Sequence, residues 1–504
     1  MAIAENIPNE ILHDIFEHLW DEEFICTFIT RRRSTHHEHD QRHIHHLLRT
    51  RQVSPIHVCR TWRAAGRPQF FRSLVLTGSN PHADMLQLVE RAFVEVGTGG
   101  ILANTLVSGP MARARTLGLS FAGSQSENSH WPGVLQQKGF AEQFPNIMHV
   151  WVQCVGDVGG QLIASLYGLL HKVTSLHLGE LTRRNPESPR LVRACSSSLQ
   201  VLSVGSVSGG VLADALFHDG HQVEYPNMSR FVFGVDSRAN IHSGQRPLPR
   251  CPFPNMRELH FDDTLSLGPP RESWYAPLYD TLLKYDNMAL QYLTFPVIYN
   301  TQRTVSRRNC PELVELRQIK CCWATGPWEV GHSDSTRVLT AIATIPKLQK
   351  YVHPSYIAGL TGVPASIECT SLRYLDLYGW PLTISDMAWV MASFSRLQTL
   401  RVTLASGGGM VDVSGNYACS VKNLVVGATG GALALPELHR LFAVLASMPC
   451  IDQLVLYSDA YAHVRSELLR LESHEDIAPR LGRAHITNLD HFELSGGGQA
   501  PGDV

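Results

Sequence analysis

The sequence has no apolar run long enough to cross a bilayer as a helix. The longest runs, residues 424–435 and 441–451, fall well short of the roughly 20 residues such a span needs. An excess of one charge is also lacking: 43 Lys and Arg stand against 45 Asp and Glu, so no general field draws the chain to nucleic acid or to a membrane surface. The 11 cysteines are odd in number and scattered from Cys26 to Cys450, with no Cys-x-x-Cys pair among them. Such spacing lacks the usual zinc and dithiol motifs, and it leads us to expect reduced thiols in a cytoplasmic or nuclear protein. Residues 1–20 lack a basic start followed by an apolar run, so no secretory leader is expected. There is no Gly-Lys dipeptide, and hence no Walker phosphate loop. Gly-x-Ser-x-Gly and His-Glu-x-x-His are missing too. The glycine clusters at 97–100, 407–409 and 427–431 lack dinucleotide-binding spacing and suit loops. We therefore expect neither a cofactor nor catalytic residues, and a binding protein rather than an enzyme.

With 44% hydrophobic residues over 504 positions, the chain can bury a large core. One short pattern recurs along it: an apolar residue, two variable ones, an apolar residue, one variable, and a third apolar residue. The clearest copies are Leu372, Leu375 and Leu377, and Leu397, Leu400 and Val402. Further copies begin at Ile147, Val173, Leu199, Met228, Met256, Leu290, Leu313, Leu348, Val421, Ile451 and Leu489. Their mean spacing of about 28 residues lies in the leucine-rich-repeat range. Individual steps run from 23 residues (290 to 313) to 38 (451 to 489), so insertions separate the copies. Ala114, Leu117 and Leu119 suggest an earlier unit, and Phe71, Leu74 and Leu76 an atypical first strand.

Each copy is expected to be a short strand whose apolar residues enter a shared core while the residues between them face outward. Helical spacing in STRVLTAIATIP, ISDMAWVMASFS and PELHRLFAVLASMP precedes three of these strands. A single strand–helix unit cannot bury its apolar face alone, so neighbours must stack. The expected fold is therefore α/β, a curved solenoid with a parallel sheet over residues 110–495, followed by a disordered tail at 496–504. This stretch resembles leucine-rich-repeat proteins of the irregular, intracellular kind. It lacks the asparagine that follows the strand in many of them, since Tyr378 and Thr403 stand there.

The first residues carry a different pattern. Asn6 can cap a helix with Pro8 in its first turn, and Ile11, Leu12, Ile15, Phe16 and Leu19 then make one apolar stripe. A second block sets Val58, Cys59 and Trp62 in SPIHVCRTWRAAG. In order and content, from Ile7-Pro8 to Trp62-Arg63, the two blocks resemble the F-box, a short helical module that binds the Skp1 adaptor of cullin-RING ubiquitin ligases. The resemblance implies that Ile7, Pro8, Ile11, Leu12, Ile15, Phe16, Leu19, Val58, Cys59 and Trp62 form that module's core and its Skp1-facing surface. It departs from the family in the 40 positions between Leu19 and Cys59. A histidine-rich insertion over about 20–52 accounts for the gap, and its six histidines between 36 and 46 read as a solvated loop rather than a metal site. The expected organisation is thus an F-box-like module over 1–76, a connecting helix or cap over 77–109, and then the repeats. The other reading of the first block is a helical cap on the array.

Outward-facing strand residues are the candidate capture surface for a protein substrate: Trp151, His177, His260, Arg317, Asp376, Tyr378, Arg401 and Tyr457. Aromatic and arginine side chains dominate interface energetics where they are desolvated. Their mixed charge suits a protein better than nucleic acid. The function this implies is a substrate-recognition adaptor of an SCF-type ligase; the alternative is a non-ligase scaffold whose N-terminal helices only cap the repeats.

Overall fold

A computed structural model describes residues 72–76, 86–96, 110–121, 144–153, 166–179, 188–207, 209–219, 221–235, 250–262, 289–296, 310–319, 335–353, 371–405, 420–428, 453–457 and 485–487, with single positions 11, 142, 181, 283, 369, 440, 441 and 444. The chain divides into two compact units, one of residues 1–179 and 184–198 and one of 180–183 and 199–504.

In the first unit, β1 (Ser73–Leu76), β2 (Arg91–Val96), β3 (Thr116–Phe121), β4 (His149–Gln153) and β5 (Ser175–Leu178) pair in sequence order, every pair parallel. A 3-10 helix, Tyr167–Lys172, leads into β5, and α1 (Ser188–Ala194) follows it. The second unit begins with β6 (Val201–Val207), then α2 (Gly209–Leu216) and a small antiparallel ribbon of β7 (Phe217–His218) and β8 (His221–Gln222). Asp219, at the turn of this ribbon, has φ 48°, a conformation aspartate tolerates in tight hairpins.

From β6 the parallel sheet of this unit runs to β9 (Arg230–Val235), β10 (Glu258–Phe261), β11 (Tyr292–Pro296), β12 (Glu315–Ile319) and β13 (Lys350–Val352). It continues to β14 (Tyr374–Leu382), β15 (Thr399–Leu404), β16 (Asn423–Ala428), β17 (Gln453–Tyr457) and β18 (His485–Thr487). Among the described residues, two helices lie in these connections, α3 (Ser335–Ala343) before β13 and α4 (Ile384–Ser393) before β15. Each unit therefore stacks one strand-bearing turn on the next, an α/β arrangement of the leucine-rich-repeat type.

Burial follows the repeat pattern closely. The first position of the copies is sealed from solvent at Ile147, Val173, Leu199, Met228, Met256, Leu290, Leu313, Leu348, Leu372, Leu397 and Val421. Leucines or equivalents at the second and third positions, such as Leu375, Leu377, Leu400 and Val402, are equally buried. Full burial of a leucine is worth about 2–3 kcal/mol, and stacking makes the turns supply that apolar environment to one another. Helix α4 is stopped at its start by a capping box. Thr383 Oγ1 accepts from the amide of Asp386 at 3.1 Å, while Asp386 Oδ2 accepts from the amide of Thr383 at 2.9 Å. Its buried face, Met387, Ala388, Val390 and Met391, completes the turn beneath β14 and β15.

A second regularity sits at the strand entrances. The carbonyl just before many of the strands accepts the amides of two consecutive residues of the next turn: Arg115 O from Met148 N (2.8 Å) and His149 N (2.9 Å), and Arg373 O from Gln398 N (2.8 Å) and Thr399 N (2.9 Å). Polar side chains reinforce it. Asn146 Nδ2 donates to Ala112 O and Asn255 Nδ2 to Pro226 O, both at 2.7 Å. The chain has no regular asparagine after the strand, and these two asparagines stitch turns together before it.

One expectation needs correction. Residues 77–109 contain β2 rather than only a connecting helix or cap. Val89, Ala92 and Val94 carry the repeat spacing, and with Val89 and Ala92 at 0% exposure the ladder starts before residue 110. Alanine at the middle position hid the copy, because a methyl suffices where the core narrows. Among the described residues the final pairing is made by His485–Thr487, with Ile486 beside Leu454. The copy expected at Leu489, the F-box-like positions other than Ile11, the histidine-rich insertion and the tail lie outside the described residues.

Because Leu400 is fully buried and Arg373 is exposed, Leu400→Ala should cost about 2–5 kcal/mol and Arg373→Ala within about 0.5 kcal/mol. Chemical denaturation followed by circular dichroism checks both, and equal effects would contradict the core assigned above.

Candidate functional site

Strand register brings the predicted capture residues into line. In the second unit, His260 pairs with Thr294, Thr294 with Arg317, Arg317 with Val352, Val352 with Asp376, and Asp376 with Arg401. Neighbouring strands are about 4.8 Å apart, so these side chains form one row. One step earlier in each strand runs a parallel row of Glu258, Tyr292, Glu315, Lys350, Tyr374, Thr399 and Asn423. The sequence reading had overlooked that second row. It could have been found by moving two positions back from every nominated residue, since side chains two apart in a strand share a face.

Charges on this face are largely paired with one another. Glu258 Oε2 receives both Arg230 Nε and His260 Nε2 at 3.2 Å, and His260 Nδ1 lies 3.0 Å from Thr294 Oγ1. Burial holds His260 below the ordinary histidine pKa, with the Glu258 hydrogen bond opposing it. Lys350 Nζ meets Glu315 Oε1 at 2.9 Å and lies 5.5 Å from the centroid of the Tyr374 ring.

The densest part of the face surrounds Asp376. Its carboxylate accepts from Arg401 Nη1 at 2.8 Å and from the amide of Tyr378 at 3.1 Å. Arg401 also sits over the Tyr378 ring, 5.8 Å from its centroid. The expectation that Asp376 is an exposed contact residue is corrected, because it is only 5% exposed. Its neighbours Arg401, Tyr378 and Arg317 cover it while remaining half-exposed themselves. Burial pushes its carboxyl pKa up, against the pull of Arg401, the Tyr378 amide and Arg317. Asp376 is thus an anchor that orients Arg401 and Tyr378.

Tyr378 rests on Gly427, where an added Cβ would come within 2.9 Å of its ring; the glycine is needed for that close approach. Thr403 Oγ1 donates to Tyr378 O. Tyr457 pairs with Gly427 along the backbone, but its side chain lies outside the described residues.

Beneath this face the core is partly polar. Trp380 Nε1 donates to His353 Nδ1 at 2.9 Å, with both residues buried. An indole nitrogen only donates, so the imidazole proton is on Nε2. A register shift between Leu377 and Pro381 lengthens β14 and carries Trp380 inward. Arg317 Nε, Gln318 Oε1 and Tyr351 Oη are buried without hydrogen-bond partners, and burial holds the Tyr351 phenol far above its ordinary pKa. Each such atom costs about 1–3 kcal/mol.

Trp151 and His177, also nominated, pair across β4 and β5 of the first unit. Their ring centroids are 4.4 Å apart and Ser175 Oγ lies 3.0 Å from His177 Nε2. They form a small aromatic patch of their own. Among the described residues, no three His, Cys, Asp or Glu side chains converge as metal ligands. Within the same residues no helix is long and apolar enough to cross a membrane. Burial pushes the thiols of Cys195 and Cys310 up to about 12, which makes them core groups rather than nucleophiles. What this surface offers chemically is binding, through arginine and tyrosine side chains held on a rigid sheet.

No protein-family model matches the chain. No curated protein matches it either. Among solved structures, it is similar to the crystal structure of a TLR13–ssRNA13 complex, at 13% identity and a TM-score of 0.36, with 79% of this chain and 56% of that one covered. The chain thus spans little more than half the length of that structure.

The raised pKa of Asp376 makes a signed prediction. A carboxyl that ionises less readily when folded contributes stability that is complete below its unfolded pKa, about 3.9, and is lost as pH rises through its elevated folded value. Asp376→Asn removes that component. The stability of the wild type relative to this variant should therefore fall as pH rises through that window, as measured by urea unfolding at a series of pH values. A difference that grows with pH would show that Arg401 and Arg317 outweigh the burial of the carboxylate.

Proposed function

We propose that the chain is the substrate-recognition adaptor of an SCF-type ubiquitin ligase, holding a protein target on the outer sheet face of its second unit and Skp1 on its N-terminal module. The capture half is supported by the Arg401–Asp376–Tyr378 arrangement, in which two residue types enriched at interface hot spots are fixed in place before any partner arrives. Pre-ordering of this kind lowers the entropy cost of binding. The docking half is supported by the sequence order Ile7-Pro8, Glu10-Ile11-Leu12, Ile15-Phe16, Val58-Cys59 and Trp62-Arg63. Ile11, the described position of that block, is helical and 51% exposed, as an apolar docking residue would be. In this reading the chain contributes no catalytic group and acts by raising the local concentration of its target near a charged enzyme. A cytoplasmic or nuclear setting and a protein rather than nucleic-acid target belong to the same proposal.

One observation favours a second reading. Strand β1 directly follows the second block in sequence and pairs with β2, and a repeat array needs its apolar end covered, a role that a helical N-terminal block would fill. A scaffold without a ligase connection would need no more.

Co-purification separates the two. The full chain should retain Skp1, and Leu12→Asp or Trp62→Ala, with unchanged circular dichroism, should release it. Absence of Skp1 from the wild type would sink the ligase reading. Deleting residues 1–70 should barely alter the thermal midpoint if the module is separable, and should lower it by several degrees if it is a cap.

A further inference from the structure

The first unit carries a surface that the sheet face does not explain. At the turns entering β3, β4 and β5 lies an open groove of about 910 Å³, lined in part by Glu90, Arg113, Arg115, Asn146, Met148 and Lys172. Its walls are successive steps of the repeat. Glu90 O accepts from the amide of Arg115, and Arg115 O from that of Met148, each at 2.8 Å. Asn146 Nδ2 ties its turn to Ala112 O at 2.7 Å. The groove is therefore built on hydrogen-bonded backbone.

Its charge is one-sided. Glu90, its carboxylate, is already engaged by Arg72 Nε at 2.6 Å. Arg113 and Arg115 are exposed and make no ion pair with any described residue. Lys172 Nζ reaches only Pro145 O, at 3.5 Å. On the sheet face of the second unit, by comparison, Lys350 and Arg401 each have a carboxylate within 3 Å. Three uncompensated cations on a fixed ladder of turns favour an anionic partner, and the arginine fork suits carboxylates in particular. Beside them Met148 is 38% exposed, a large apolar side chain that adapts its shape to aliphatic partners.

We propose that this groove binds an acidic peptide segment in extended form, its carboxylates on Arg113, Arg115 and Lys172 and one aliphatic side chain on Met148. Single-stranded nucleic acid fits less well. Such ligands are held by aromatic stacking as well as charge, and the described lining residues include no aromatic ring. The inference is independent of any ligase role.

The test uses the full chain and a fluorescein-labelled decapeptide of alternating Asp and Glu with a central Leu, followed by fluorescence anisotropy. Saturable binding is expected, weakening as salt rises and falling by about tenfold or more in Arg113→Glu/Arg115→Glu. Arg373→Ala, an exposed arginine on the other unit, should leave it unchanged. Should the glutamate variant fail to fold, Arg113→Ala/Arg115→Ala gives the same readout with a smaller charge change. Removing the central Leu should weaken binding further. The proposal is overturned if the peptide does not saturate, if the arginine variants bind it as the wild type does, or if an oligo-dT of equal charge displaces it and binds more tightly.

Discussion

A forked hydrogen bond joins successive described turns within each unit: the carbonyl ahead of one strand accepts two amides of the turn that follows. It recurs at Glu90, Arg115 and Met148 in the first unit, and at Gln200, Ser229, Arg257, Gln291, Val314, Gln349, Arg373 and Gln398 in the second. Apolar burial drives the stacking but is indifferent to direction along the strand. The forked carbonyl is directional, and it admits one alignment. A slip by one residue would turn every Leu400 outward and every Arg401 inward, so each fork protects the placement of both faces at once. Variable loops from one strand to the next are tolerated because they begin and end outside these fixed points.

The outer face of the second unit depends on this alignment. Arg401 reaches Asp376 because β14 and β15 are in register, and Tyr378 lies flat because Gly427, one strand further on beside Thr403, has no side chain to displace it. The face is costly to maintain. Asp376 gives up water for two guanidinium neighbours and an amide, while Gln318 and Tyr351 keep buried polar atoms without partners. A core of leucines at those positions would be more stable. Polar residues concentrated in β12, β13 and β14 mark the part of the ladder where stability yields to a particular surface.

The two units use the same ladder for different surfaces. In the second, opposite charges alternate across the sheet and satisfy one another, which leaves tyrosine and arginine faces as the contact chemistry. Along the strand entrances of the first, Arg113, Arg115 and Lys172 line a groove whose one carboxylate, Glu90, is paired with Arg72. Small changes at variable repeat positions thus produce distinct binding surfaces without altering the scaffold.

The repeat was legible in the sequence because burial demands it: Leu372, Leu375 and Leu377 can be adjacent on one face only in a strand, and the same spacing recurs wherever the core continues. Helices α3 and α4 and the row containing Arg317, Asp376 and Arg401 could be read for the same reason. A copy built on alanine at Ala92 gives only a weak apolar signal, and the short strand His485–Thr487 sets a single apolar residue, Ile486, beside Leu454. Sequence alone therefore determined the fold class, the inward and outward alternation and the chemistry available on the sheet. Tertiary structure decided which outward residues remain outside. Asp376 is buried because Arg401, Tyr378 and Arg317 close over it, and Arg113, Arg115 and Lys172 share one groove because stacked turns bring residues some 60 positions apart to within two strand spacings, about 10 Å. Contacts of that kind are set by distances across strands, which no periodicity along the chain records.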